Sequence, residues 1–329
     1  MSSKKIWWWL FGTAAVVLFL PMLIQSSFLL GVSIVIGLYS IVALGLGLLM
    51  GYAGQVSFGQ AAFYGLGAYT AAILATRCQV PPAFCLLIAP FLPAFVALII
   101  GRPILRLREH YLVLATLGVG ILVSALFKEF SSLTGGPSGL TGIPYLSIGP
   151  VVFDSDRDCF FLVWSILGLV LLGMANLTRS PVGRAFRAIH SSEKAAAAVG
   201  ISTASLKLLA FVVSAFLAGI SGALYIFWVT FISPSPFSFT TSVEFALMVV
   251  VGGLGTLWGP VLGAGIIVGL DKLLQWLVPE VLPTAGGEFE IIIFGVIFVI
   301  IMLFKPKGLL LPEKSIVTVH PERGNNNHA

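Results

Sequence analysis

Charge is what this 329-residue chain lacks most. Asp, Glu, Lys and Arg together make up 9% of it, where a soluble domain carries about 25%, so a water-facing globular fold is excluded. Cysteine is almost as scarce. Cys78, Cys85 and Cys159 form neither an even framework nor a metal-ligand spacing and read as small apolar fillers. The four histidines, His110, His190, His320 and His328, are scattered, and no metal site is expected. The pattern G-x-x-x-x-G-K-[ST] is missing, so the chain has no recognisable nucleotide-hydrolysis loop of its own. No interfacial His/Asp/Ser constellation assembles either, which argues against an enzyme acting on lipid. The net charge of +5 does not point to nucleic acid, because the basic residues lie between apolar runs rather than in one patch.

What is there is hydrocarbon. The chain is 58% hydrophobic, with a mean hydropathy of +1.05, enough for about ten spans of about 20 residues. Apolar runs suggest spans near 6–24, 28–50, 58–76, 83–101, 111–127, 160–177, 207–231, 241–257, 260–278 and 289–304. All should be helical, since lipid cannot satisfy free backbone groups. Lys4-Lys5 followed by Ile6 to Leu20 has the charge order of a signal peptide, but no small-x-small cleavage site follows. It reads as an uncleaved first span, with Trp7, Trp8 and Trp9 as an interfacial anchor. With both termini inside, ten spans put all eighteen Lys and Arg on the cytoplasmic side except Arg77, Lys128, Arg157 and Lys272. The expected fold is therefore an all-α polytopic membrane protein of about ten transmembrane helices. Residues 1–312 form the membrane domain and 313–329 a polar cytoplasmic tail. An eight- or nine-span variant would need 51–60 or 252–259 to re-enter.

Two glycine-rich stretches interrupt the apolar runs. In Gly51-Tyr-Ala-Gly-Gln-Val-Ser-Phe-Gly-Gln60, the residues Gly54, Gln55, Ser57 and Gln60 suit the wall of a translocation path, where donors and acceptors meet a polar solute. A tight interfacial hairpin would explain them equally well. Val251-Gly-Gly-Leu-Gly255 echoes the first stretch, and its Gly252, Gly253 and Gly255 are either further path wall or sites of close helix contact. The echo suggests a parallel duplication. The external segment 128–159 holds Leu133-Thr-Gly-Gly-Pro-Ser-Gly-Leu140, turn chemistry that offers Thr134, Gly135 and Gly136 as the outer mouth. Of the ionisable residues near span interiors, Glu244 and the Asp271–Lys272 pair lie toward an external end. The pair reads as an interfacial anchor, and a self-sufficient ion-coupled carrier is not indicated.

The one large polar island within the membrane domain runs from 179 to 207. Arg184 and Arg187 lead into Ser192-Glu-Lys-Ala-Ala-Ala-Ala-Val-Gly200. Ser192 can cap a helix begun by Glu193 and Lys194, Ala195 and Ala196 continue it, and Gly200 can end it. So little charge on a helix outside the membrane suits docking to another protein better than solvation.

Several blocks in order carry a family resemblance. They include Gly54-Gln-Val-Ser-Phe-Gly-Gln-Ala-Ala-Phe-Tyr-Gly-Leu-Gly-Ala-Tyr69, Arg106-Leu-Arg-Glu-His-Tyr-Leu-Val-Leu-Ala-Thr-Leu-Gly118 and Leu133–Leu140. Ala210–Tyr225, Val251–Pro260 and Leu303-Phe-Lys-Pro-Lys-Gly308 follow. Over about residues 30–312 the chain resembles the permease subunits of Liv-type branched-chain amino acid ABC importers, closer to the M type than to the H type. The resemblance implies a heteromeric importer in the bacterial inner membrane. Its other parts would be a second homologous permease subunit, two ATP-binding subunits and a periplasmic or tethered solute-binding protein. ATP and Mg would be bound by the partners, with no cofactor in this chain and no nucleic acid. Arg184–Ile201 would be the coupling helix. The family's Glu-Ala-Ala with glycine six positions on appears here as Lys194-Ala-Ala before Gly200, with Glu193 one residue early. The same scaffold serving urea, short amides or other neutral amino acids is the alternative within transport. A passive channel is the alternative of another class.

Overall fold

The computed structural model describes residues 26–107, 109–281, 295–296 and 308–310. The expected spans 6–24 and 289–304 and the tail 313–329 lie outside the described residues, apart from 295–296, which are helical. The other eight expected spans each coincide with helix. In chain order these are α1 (Ser27–Gly47, prolonged by a π-helical turn Leu48–Tyr52), α2 (Gln60–Thr76), α3 (Pro82–Ile88) with α4 (Phe91–Ile104), and α5 (Glu109–Glu129). After a short turn α6 (Ser131–Thr134) and the antiparallel hairpin of β1 (Leu146–Ile148) and β2 (Val151–Phe153) comes α7 (Asp156–Arg179). The island forms α8 (Pro181–Ser191) and α9 (Glu193–Ala198), and the chain continues through α10 (Thr203–Val229), α11 (Phe239–Gly252) and α12 (Gly259–Val281).

Six of the described helical stretches are long and apolar enough to cross a membrane. The expected span at 83–101 is broken at Ala89–Pro90 into α3 and α4, because proline has no N–H to continue the ladder. α11 has 14 residues, a length of about 21 Å, short of the roughly 30 Å hydrocarbon thickness. In α1 and α10, 67% of the apolar window is buried, against 28–33% in the other four spanning stretches, so α1 and α10 form the centre. Ser221 Oγ donates to the Leu38 carbonyl at 2.7 Å across them. A methyl group on Gly45 would stand 3.0 Å from Ser214 Cα. The pairings 38–221 and 45–214 run in opposite directions, so the two helices are antiparallel. α2 lies along α10, and a methyl group on Gly67 or Gly222 would overlap the other helix's backbone. Small residues let these helices touch without intervening side chains.

The chain turns gather at two ends. At one end, the links 53–59 and 253–258, the end of α4 and the island lie together. At the other, Leu140 pairs with Ile232 and the Trp228 indole donates to Asp156 at 3.0 Å.

Candidate functional site

The first glycine-rich stretch is a non-helical link buried inside the bundle. α1 ends at Tyr52, Ala53 to Gly59 is irregular, and α2 starts at Gln60. Gln60 Nε2 donates to Ser214 Oγ, and Ser214 also faces Gly45. Gln60 is therefore level with Gly45, seven residues before Tyr52 and about 10 Å inward from it. Gln55, Ser57 and Gln60 are 4%, 1% and 1% exposed, which sets aside a hairpin whose polar residues meet headgroups. Buried irregular backbone needs protein partners, and the link and the first turn of α2 find them in two hydroxyl groups and a backbone carbonyl. Phe58 N donates to Thr116 Oγ1 at 3.2 Å, Ala61 N donates to Ser242 Oγ at 3.0 Å, and Gln55 N donates to the Leu49 carbonyl at 2.9 Å. The side-chain oxygens of Gln55 and Gln60 accept no hydrogen bond among the described residues. Each is a buried acceptor, and a buried polar group without a partner is costly.

The second stretch abuts the first. A methyl group on Gly51 would overlap the backbone nitrogen of Gly255, and one on Gly47 would stand 2.8 Å from the Pro260 ring. Gly252 packs directly on the backbone of Gly259 and Gly263, closing α11 against α12. Thr256 caps α12 by accepting from Gly259 N at 3.0 Å. Leu309 N and Leu310 N donate to the carbonyls of Val251 and Gly252 at 2.9 and 3.1 Å. Close backbone packing thus surrounds Gly252, Gly253 and Gly255.

The island stands against the same link. Ser180 caps α8 and Ser192 caps α9, accepting from Ala195 N at 3.3 Å. The helix expected from Glu193 is present, and Gly200 follows it at φ +84°. Phe186 and Ile189 are buried, while Arg184, Glu193, Lys194 and Ala195 are exposed. Arg187 donates through Nη1 to the Thr178 carbonyl at 2.9 Å and Glu193 pairs with Lys207 at 2.6 Å. Ala196 is buried, but Val199 is 76% exposed, an apolar residue facing outward at the end of α9. Gly54, at φ +69°, meets α8 directly: a methyl group there would stand 2.9 Å from His190 Nδ1. A cavity of about 250 Å³ between link and island is lined by Gln55, Leu107, Leu112, Glu193 and Lys207.

Thr134, Gly135 and Gly136 are not part of this assembly. Thr134 is buried at the other end of α5 and accepts from Gly136 N while donating to the carbonyls of Phe127 and Phe130. The two ends are joined along α2 by aromatic side chains, with Tyr69 stacked on Phe127 at 4.3 Å between ring centroids and Tyr64 against Phe237 at 5.3 Å. Sequence reasoning missed Thr116, His190, Ser214 and Ser242. Thr116 and Ser214 are single polar residues in apolar runs, Ser242 follows two threonines and His190 lies within the polar island, and only the long-range partner of each reveals its role. Among the described residues no group of three His, Cys, Asp or Glu could hold a metal ion.

Comparison with known proteins gives a consistent picture. The family model for "Branched-chain amino acid transport system / permease component" matches residues 28–302. The chain is 32% identical over 296 residues to the high-affinity branched-chain amino acid transport system permease protein LivM of Escherichia coli K12, covering 83% of this chain and 68% of that protein. It is 27% identical to the probable LivM of Methanocaldococcus jannaschii, over 86% and 92% of the two chains. With the LivH permease protein of Salmonella typhimurium it shares 23% identity, over 83% and 91%. No solved structure matches the chain.

Proposed function

The chain belongs to the family of branched-chain amino acid transport system permease components, and we propose that it forms half of an ATP-driven import path for apolar amino acids. The second half would be a homologous permease subunit. ATP would be bound and hydrolysed by two partner subunits, and a binding protein would deliver solute at the Thr134–Gly142 end. The end that gathers the island, Arg102, Arg106 and Lys207 is the cytoplasmic one, because short cytoplasmic loops carry the excess of Lys and Arg. The membrane is the bacterial inner membrane.

The observation that carries this reading is the contact between the buried polar link and the island, Gly54 against His190. The outward apolar residue Val199 and the flanking alanines let a partner surface approach closely. A partner that pulls on α8 and α9 necessarily loads the link that holds Gln55, Ser57 and Gln60. Solute passing those side chains needs only transient contacts, since a tight site would slow its release. Conformational change caused by a partner requires that the partner interact differently with the two states, and the island supplies the handle for that difference.

The test is reconstitution of the full chain with its partner subunits in proteoliposomes. ATP-dependent leucine uptake should appear, and deletion of 186–201 should abolish both assembly and ATP response. Uptake by the isolated chain, or ATP-responsive uptake by the deleted one, would refute the proposal. Parallel uptake of alanine, glycine and urea separates the substrate alternatives.

A further inference from the structure

A second cavity, of about 650 Å³, opens at the end opposite the island, between α1, α10, α11 and α12. Its volume falls in the range of about 300–1,000 Å³ typical of small-molecule sites. In the sequence, Asp271 and Lys272 read as an interfacial anchor. The fold instead gathers Glu244, Asp271 and Lys272 around one space, with Val35, Val243 and Leu247 as an apolar wall.

The charges in it are unequal. Asp271 is compensated, with Lys272 Nζ at 3.5 Å and the Gln275 amide nitrogen donating to it at 2.9 Å. Lys272 also donates to Gln275 Oε1 at 2.8 Å, and an ammonium has further donors to offer. Glu244 is half-buried and has no hydrogen bond or ion pair among the described residues. An ionisable side chain within the membrane region is expensive and marks a functional site unless it is paired. A ligand for this space must bring a cation to Glu244, offer an anion to Lys272 and lay apolar surface on the valines and Leu247. A simple cation would leave the remaining donors of Lys272 unused, and a simple carboxylate is opposed by Glu244 and Asp271.

The geometry points to a binding site for the zwitterion of an apolar amino acid, its ammonium on Glu244 and its carboxylate on Lys272. This assignment rests on the transport reading above and adds a residue set that reading does not use. The cavity lies at the end where the binding protein would release solute, so it would serve as the first stop before the Gln55 link.

The test avoids transport. In the full chain assembled with its partners in nanodiscs, Cys78→Ala removes the exposed thiol, while Cys85 and Cys159 are buried. Thr240→Cys then places a reporter on the cavity lining, and Val243→Cys is a second reporter should the first fail to assemble. The rate of modification by a methanethiosulfonate reagent is measured with leucine, with leucinamide and with 4-methylpentanoate. Leucine at about twice a millimolar Kd should slow labelling about threefold, the two one-charge analogues should not, and Glu244→Gln should remove the protection. Equal rates with and without leucine would overturn the site, as would protection by either analogue alone. Protection without any ATP-driven uptake by the wild-type complex would instead refute the importer reading and leave the site standing.

Discussion

Replacing Gly51 by alanine should destabilise the chain, although alanine is the better helix former. A methyl group there would overlap the backbone nitrogen of Gly255 and lie 3.1 Å from Gly255 Cα and 3.3 Å from the Leu254 carbonyl carbon. None of these is the tip of a side chain that can swing aside, so the cost belongs at the upper end of overpacking, about 3 kcal/mol. Helix propensity returns up to about 1 kcal/mol. The net is about 2 kcal/mol, roughly a thirtyfold shift in the unfolding equilibrium. The control is Gly118→Ala in α5, where a methyl group meets nothing within 4 Å. That change should stabilise by about 0.5–1 kcal/mol. Both are read by tryptophan fluorescence of the purified chain during unfolding with SDS in mixed micelles. If Gly51→Ala proves as stable as Gly118→Ala, the two glycine stretches do not touch, and the packing of α1 against the α11–α12 junction described above is wrong.

Gln55→Ala should lower leucine uptake by the reconstituted complex about tenfold, equivalent to about 1.4 kcal/mol on the transport step, while the ATPase subunits still co-purify; full uptake would reject its place in the path. Gly54→Ala should lose about 1–2 kcal/mol of stability from the left-handed backbone alone. A further loss of about 1 kcal/mol should come from crowding His190, and a double-mutant cycle with His190→Ala should recover only that second part. Strict additivity would mean that link and island are not in contact. Val199→Arg should release the ATPase subunits on pull-down yet shift the chain's own unfolding by no more than about 0.5 kcal/mol, as exposed sites usually do. Retention of the ATPase would reject α9 as the docking element.

The eight helices were legible because apolar runs of membrane length allow no other backbone structure and because proline, glycine and serine mark their ends. Ser192 and Gly200 are the sharpest case: a capping hydroxyl and a glycine six residues after Lys194 bounded a helix that is present at those positions. Faces were not legible. α1 is apolar all round and buried along most of its length, and a helix without a polar side carries no periodic signal for what it packs against. Hence the pairing of Gln60 with Ser214, 154 residues apart, could not be read from either segment. The short α11 was overestimated as a span at 241–257 because valine and glycine at its end prolong the apolar run. Its last turn instead gives way to the tight packing of Gly252 on Gly259.

The glycine echo shows why composition alone left two readings open. Glycine weakens a helix and also permits backbones to meet, so a translocation-path wall and a tight interfacial hairpin predict the same residues. The polar members of the stretch separate the alternatives. Gln55, Ser57 and Gln60 are buried, and the link together with the first turn of α2 is hydrogen-bonded to Thr116, Ser242 and Ser214 on three different helices. The link and the first turn of α2, tied to α5, α10 and α11, cannot shift without moving at least one of those helices relative to the others. It also touches the island through Gly54 and His190. In the proposed importer, the few residues between Tyr52 and Gln60 are where a push on α8 and α9 would be passed to the helices around them. Substitutions there should change transport more than equally buried substitutions elsewhere in α1.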